Sequence, residues 1–252
     1  MCRHVGYLGP ATTLSGLLLE PEHSLLEQSW APADMRGGGK INADGFGVGW
    51  YDTPEAPAVY RNDRPIWTDE AFREVARIVR STAVVGAVRS ATVGMPLSPA
   101  ACAPFRSGKW LFSHNGKVIG WPNSLSSIAS RLDPAALMTL PAPTDSAVLW
   151  ALLHQLLEQG VEPGKAIRSL LVEVEQCAPG SRLNFLLTDG DQLFATTWTH
   201  ALWVRRTRSS VTVASEPFGP AVEWQRVPDR QLLTAVPGRV TMTPIPGTES
   251  YD

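Results

Sequence analysis

The sequence predicts an α+β layered fold, and three observations predict it. Strand-length apolar segments dominate the first half, two helical segments follow one another directly near the middle, and paired strand segments come after them. A doubly wound sheet would alternate strand and helix throughout, and this chain does not.

Each element has its own justification. Val5, Tyr7 and Leu8 read as part of a strand close to the start. Asp44 to Tyr51 (DGFGVGWY) alternates strictly, with Phe46, Val48 and Trp50 on one face and Gly45, Gly47 and Gly49 on the other. Period two means a strand, and a face without side chains means that a packed layer or a ligand approaches the backbone closely. Asp69 to Arg80 places Phe72, Val75, Ile78 and Val79 on one helical stripe. Ala83 to Arg89 and Lys109 to Ser113 are further strand-length apolar runs. The longest helix is expected over Asp145 to Gln159, stopped by Gly160, and the next over Pro163 to Gln176, with its proline in the first turn. Leu183 to Thr188 and Gln192 to Thr197 flank Asp189-Gly190, a hairpin signal, and Ala201 to Arg206 with Ser210 to Ala214 form a second pair. The 21 glycines and 21 prolines concentrate in loops such as Gly37-Gly38-Gly39 and Pro141 to Pro143. One domain over residues 2–252 is expected, with an irregular tail from about residue 237.

Composition narrows the function. Hydrophobic residues are 44% and charged residues 18% of 252, which excludes a disordered, solvating chain. At this size folding removes roughly three quarters of the surface from water, so no disulfide or metal staple is required. A net charge of −2 offers no electrostatic footprint for nucleic acid or an anionic membrane. Cys2, Cys102 and Cys177 are widely separated and odd in number, so neither a disulfide framework nor a zinc ribbon is expected. With no signal peptide and no membrane span in the sequence, the expectation is a cytoplasmic protein without metal or other cofactor.

Few residues could carry chemistry. Removal of Met1 would leave Cys2 with a free α-amine and a thiol on one residue. An α-amine has a pKa near 7.7–8.0, suited to a base at neutral pH, so such a nucleophile carries its own base. Otherwise Cys2 is an incidental residue on a frayed end. Cys2-Arg3-His4 could wrap a square-planar metal only if the terminus were flexible, and the strand pattern that follows argues otherwise. Arg89, with Ser90 and Thr92 after it, offers a bidentate fork for a carboxylate, or a surface ion pair. Ser113-His114-Asn115-Gly116 reads locally as a hairpin turn, and alternatively as an amide and a backbone N–H for a developing oxyanion. Thr144-Asp145-Ser146 is a helix cap, or a carboxylate aimed at a substrate ammonium. Gly37 to Lys40 lacks the frame of a phosphate loop, and Gly45-x-Gly47-x-Gly49 has the wrong spacing for a dinucleotide loop.

Taken in order, MCRH, INADGFGVGWY, GAVRSATVG, SHNG and PTDS resemble the class II glutamine amidotransferases, of the N-terminal nucleophile hydrolase superfamily. The chain is most similar to the ergothioneine-biosynthesis branch, the γ-glutamyl-hercynylcysteine sulfoxide hydrolases, and SEPFGPAVEWQRVPDRQL (Ser215 to Leu232) shares that likeness. The resemblance covers residues 2 to about 232. It implies a four-layer αββα sandwich, with two antiparallel sheets between helical layers. It implies Cys2 as nucleophile with its own amine as base, Asn115 and Gly116 as oxyanion hole, Arg89 with Thr92 on the substrate α-carboxylate, and Asp145 on its α-ammonium. Many glutaminase domains have a histidine after the threonine, and Val93 stands there. The chain ends about 20 residues past the last family-like segment, so hydrolysis of a small γ-glutamyl substrate is expected as the whole reaction. The alternative is a glutaminase subunit that feeds ammonia to a separate synthase. A trimethylammonium leaving group calls for aromatic faces, and the candidates are Trp30, Trp67, Trp121, Trp224 and Tyr7.

Overall fold

The computed structural model describes residues 2–35, 41–53, 56–220 and 223–246. Met1, the Gly37-Gly38-Gly39 loop and the last residues of the tail lie outside the described residues. The chain begins with β1 (Arg3–Thr13), α1 (Leu14–Leu18) and α2 (Leu25–Gln28), followed by β2 (Phe46–Tyr51), β3 (Pro57–Asn62), α3 (Glu70–Ile78) and β4 (Arg80–Val88). Next come β5 (Phe105–Ser107), β6 (Trp110–Lys117), α4 (Ser126–Ala129), α5 (Pro134–Met138), α6 (Asp145–Glu158) and α7 (Pro163–Cys177). Seven strands close the fold: β7 (Arg182–Thr188), β8 (Leu193–Thr197), β9 (Trp203–Arg206), β10 (Val211–Ala214), β11 (Trp224–Arg226), β12 (Gln231–Val236) and β13 (Arg239–Pro244).

Two antiparallel sheets result. One has the order β11-β9-β10-β1-β4-β2-β3, the other β13-β12-β8-β7-β6-β5. Alternation along the strands sends successive side chains to opposite faces and so divides the core into three layers. Val5, Phe46, Val48, Val84 and Val88 of the first sheet pack with Leu14, Leu18, Leu25 and Phe72 from the short helices. Leu8, Val85 and Val213 meet Leu111, Leu186 and Leu193 of the second sheet. Phe112, Phe185 and Leu187 on its far face pack under Leu149, Leu153, Ile167 and Leu171 of α6 and α7. The order is helix, sheet, sheet, helix: the αββα sandwich.

The bare face of β2 is explained by this stacking. A Cβ on Gly49 would lie 2.7 Å from Leu111 Cδ1 of the opposite sheet, and one on Gly47 would collide with the Ala103 carbonyl oxygen. A packed layer, rather than a ligand, approaches that backbone. Helix signals also take effect locally. Thr144 caps α6 by accepting from Ala147 N, Gly160 follows its end at φ 77°, and Glu162 caps α7 by accepting from Gly164 N and Lys165 N.

Three expectations need correction. The tail expected to be irregular from about residue 237 contains β13, paired with β12 across a turn at Gly238 (φ 78°). It is a short edge strand in which Val240 and Met242 alternate with Arg239, Thr241 and Thr243 and are only partly buried against the core between the sheets. The helix expected to reach Arg80 ends at Ile78, whose side chain is exposed, because Arg80 and Ser81 already pair with Thr13 and Thr12 of β1. Asn115-Gly116 is no hairpin turn. Both residues continue β6, opposite Asn184 and Leu183 of β7, so their partner strand is about seventy residues away and the local turn signal has nothing to fold back on.

Candidate active site

The site forms where the start of β1, the end of β4, the end of β6 and the first turn of α6 meet. Cys2, Arg89, Thr92, Gly116 and Asp145 line one small cleft, together with Ser90, His114 and Ser146. Five of the six residues singled out in the sequence are thus brought together. The sixth, Asn115, lies on the opposite face of β6, buried, and lines a smaller neighbouring cavity with Arg3, His200 and Ser215.

Local structure fixes each position. Cys2 is half-buried, and its Sγ lies 3.8 Å from the Ser90 carbonyl oxygen. Arg3 and His4 already belong to β1, so the flexible terminus that a square-planar metal site would need is absent at these residues. Arg89 follows β4 directly, and its Nη1 donates to Pro96 O at 3.0 Å and Asp44 O at 3.5 Å. Asp44 holds the segment beyond it: its Oδ2 accepts from Ala91 N at 2.7 Å. Gly116 must be glycine, since a Cβ there would collide with the Arg182 carbonyl oxygen. Asp145, buried at the N-terminus of α6, accepts from Val118 N (3.0 Å) through Oδ2 and from Ser146 N (2.7 Å) through Oδ1. Capping itself falls to Thr144. Val93, where many related domains carry histidine, is wholly exposed.

Sequence reasoning passed over several residues here. His114 lines the cleft beside Cys2, with Nε2 2.8 Å from Arg182 O and Nδ1 3.0 Å from Ser146 Oγ. A carbonyl opposite Nε2 requires the proton on Nε2, so Nδ1 accepts from the Ser146 hydroxyl. Burial pushes the His114 pKa down, opposed by Asp145 and by the hydrogen bond to Arg182 O. His4, fully buried, and His200 are both pushed down to about 3, first by burial and then by neighbouring positive charge. Arg3 and Glu216 form a buried ion pair at 2.8 Å. The signal for His114 and Ser146 was present in SHNG and PTDS, next to the residues given roles. Arg3 and Glu216 also fall in quoted segments, MCRH and SEPFG, but they are 213 positions apart and nothing local pairs them.

The aromatic candidates separate cleanly. Tyr7 and Trp224 belong to the core beneath the helices, with Tyr7 Oη donating to Pro10 O and Trp224 Nε1 to Phe218 O. Trp30 and Trp67 pack edge to face at 5.6 Å, away from the cleft lining. Trp121 adjoins the cleft, lining a depression that shares Thr92 and Met95 with it.

A half-buried thiol beside opposite charges, on an αββα sandwich, defines an amidotransferase-type hydrolase site, and comparison with known families agrees. The model of the class-II glutamine amidotransferases matches residues 24–210, and this chain belongs to that family. More particularly, it is 39% identical over 245 residues to the gamma-glutamyl-hercynylcysteine sulfoxide hydrolase of Mycolicibacterium smegmatis, covering 97% of this chain and 100% of that protein. The protein of the same name from Mycobacterium tuberculosis is 39% identical over 246 residues, covering 96% of each. Among solved structures, a class-II glutamine aminotransferase domain protein from Silicibacter pomeroyi aligns with a TM-score of 0.68 at 25% identity, over 97% of this chain and 100% of its own. The glutamine phosphoribosylpyrophosphate amidotransferase of B. subtilis shares the fold, with a TM-score of 0.68 at 15% identity over 49% of its length. Among the described residues, no helix is long and apolar enough to cross a membrane.

Proposed function

We propose that this protein is a cytoplasmic amidohydrolase that removes the γ-glutamyl group from γ-glutamyl-hercynylcysteine sulfoxide, with Cys2 as nucleophile. The observation that carries the reading is the convergence of Cys2, Arg89, Thr92, Gly116 and Asp145 on one cleft. The near full-length likeness to two proteins of that name supports the substrate.

Chemistry follows from the groups available. A glutamyl head carries a carboxylate and an ammonium on one carbon, and Arg89 with Thr92 takes the first while Asp145 takes the second. This fixes the γ-carbonyl above Cys2. After removal of Met1 the α-amine of Cys2 takes the thiol proton through a water, and the thiolate adds to the carbonyl carbon. The oxyanion that forms is held by the Asn115 amide and the Gly116 N–H. Collapse expels the amine of the leaving group, which takes the proton from the α-ammonium of Cys2, and leaves a thioester. Water, deprotonated by the same α-amine, then cleaves the thioester and releases glutamate.

The test compares kcat/KM for γ-glutamyl-hercynylcysteine sulfoxide, for its analogue lacking the three N-methyl groups, and for free glutamine. The sulfoxide should be preferred well over tenfold to either. Glutamine turned over as fast as the sulfoxide would overturn the substrate assignment and make the protein a glutaminase that supplies ammonia.

A further inference from the structure

We infer that the dipeptide Ser215-Glu216, at the end of β10, positions both halves of this chemistry: Glu216 seats Cys2 through Arg3, and Ser215 orients the Asn115 amide. The inference rests on the reading of Cys2 as nucleophile and Asn115 as oxyanion donor.

The Glu216 arm begins with a constraint peculiar to a terminal nucleophile. Once Met1 is gone, Cys2 has chain on one side only, so contacts alone fix its thiol and amine. Arg3 Nη1 donates to the Cys2 carbonyl at 3.1 Å, and Arg3 Nη2 donates to the Asp34 carbonyl. The same guanidinium is held from behind by Glu216, through Nε to Oε1 at 2.8 Å. Glu216 has no slack of its own. Its carboxylate also accepts from Ala33 N (2.8 Å) and Asp34 N (3.2 Å), and it meets His23 Nε2 at 2.7 Å. Both Arg3 and Glu216 are 2% exposed. A buried ion pair of this kind is a weak source of stability, because desolvation offsets the attraction. Its geometry is a strong source of position, since four donors on one carboxylate leave it a single orientation.

The Ser215 arm follows from a hydrogen-bond inventory. Ser215 N donates to His4 O and Ser215 Oγ accepts from His4 N, both at 3.0 Å, which locks the residue to β1. The Asn115 amide lies against that hydroxyl, its nitrogen 3.3 Å away, while its Oδ1 is buried without a partner among the described residues. A buried orphan carbonyl is costly, and an amide exchanges its oxygen and nitrogen by a half-turn. Ser215 already accepts from His4 N and has one proton to give. With Oδ1 turned toward Ser215, that proton reaches the orphan oxygen and the amide NH2 is released toward a developing oxyanion. The hydroxyl therefore selects the productive face of Asn115.

The experiment measures kcat and KM for Ser215→Ala, Ser215→Thr, Glu216→Gln and Arg3→Lys in the full chain, with thermal unfolding as the control for folding. Ser215→Ala, Glu216→Gln and Arg3→Lys should each lower kcat tenfold or more while KM stays within threefold, and Ser215→Thr, which keeps the hydroxyl, should restore most of the rate. Ser215→Ala should add nothing in an Asn115→Ala background, and Glu216→Gln nothing in an Arg3→Lys background. Should Glu216→Gln not fold, Arg3→Lys decides that arm, since it keeps the charge opposite Glu216 but removes the fork that reaches Cys2. Folded variants with normal kcat, or losses that multiply in the double variants, overturn the inference. Full activity in Cys2→Ala would instead overturn the nucleophile assignment itself, so the two failures are distinct.

Discussion

Acid should unfold this protein through its buried histidines, well above the range where carboxylates titrate. His4 and His200 have pKa values near 3 in the folded chain, against an ordinary value of 6.5. Burial is the main cause in both; His114, His200 and Arg3 add to it at His4, and Arg182, Arg3 and His114 add to it at His200. Below pH 6.5 the unfolded chain therefore binds protons that the folded chain refuses. Stability is fully present above 6.5 and falls as pH drops toward 3. Each histidine contributes about 1.4 kcal/mol per pH unit inside the window. Two of them remove about 5 kcal/mol by pH 4.5, the lower end of total stability for a domain. Glu216 also loses its stabilised, ionised form in acid, because its carboxyl lies below its ordinary 4.5: burial acts to raise it, but the hydrogen bond from His23, the Arg3 charge and two backbone donors outweigh burial. That loss sets in only below about 4.5, so the interval from about pH 6.5 to about 5 isolates the histidines. The assay is urea unfolding across that interval, with the ring protons of the histidines followed by NMR. A slope of at least two protons is expected, since His114, also pushed down by burial, adds to His4 and His200; it should be reduced by about one in His200→Gln. A flat stability profile, or His4 and His200 titrating near 6.5 in the folded protein, would refute the reasoning.

Three further outcomes are expected. Asn115→Ala should lower kcat by roughly 10²–10³, about 2.7–4 kcal/mol of transition-state stabilisation, with little change in KM; a KM effect alone would make Asn115 a substrate contact. Active protein should lack the mass of Met1 by intact mass spectrometry, since retention turns the basic amine into an amide; full activity with Met1 in place would remove the N-terminal mechanism. Gly47→Ala should cost about 1–3 kcal/mol by forcing a Cβ into the Ala103 carbonyl, and thermal unfolding at the wild-type temperature would contradict the close approach of the 103 loop to β2.

Much of the fold was legible because its signals are local. The period of two in DGFGVGWY, the Asp189-Gly190 hairpin and the capped stripe of α6 each depend on neighbours within one element. The failures have the opposite character. Asn115-Gly116 looks like a turn because glycine after asparagine is favoured at positive φ, yet Gly116 is selected by a collision with Arg182, on a strand that pairs only after both long helices. β13 does alternate, through Val240 and Met242, but with two apolar residues between threonines and a proline at its end the pattern is too short to separate an edge strand from a tail.

The site divides along the same line. Motif order located Cys2, Arg89, Thr92, Gly116 and Asp145, which the fold brings to one cleft. It did not give the pairings behind them, because those contacts join residues far apart in the chain: Arg3 to Glu216, His4 to Ser113, Asn115 to Ser215. Alternation on β6 explains why one short motif has to do two jobs. His114 and Gly116 line the cleft that holds Cys2, whereas Ser113 and Asn115 carry the hydrogen bonds to the first sheet, at His4 and Ser215. The Asn115 amide is held from β1 and β10, through Ser215 and its two hydrogen bonds to His4. On the proposed reading, β6 presents the oxyanion donors and the opposite sheet aims them. A sandwich supplies that in a way a single sheet could not, and the most informative residues of this site are accordingly the ones that join the two layers.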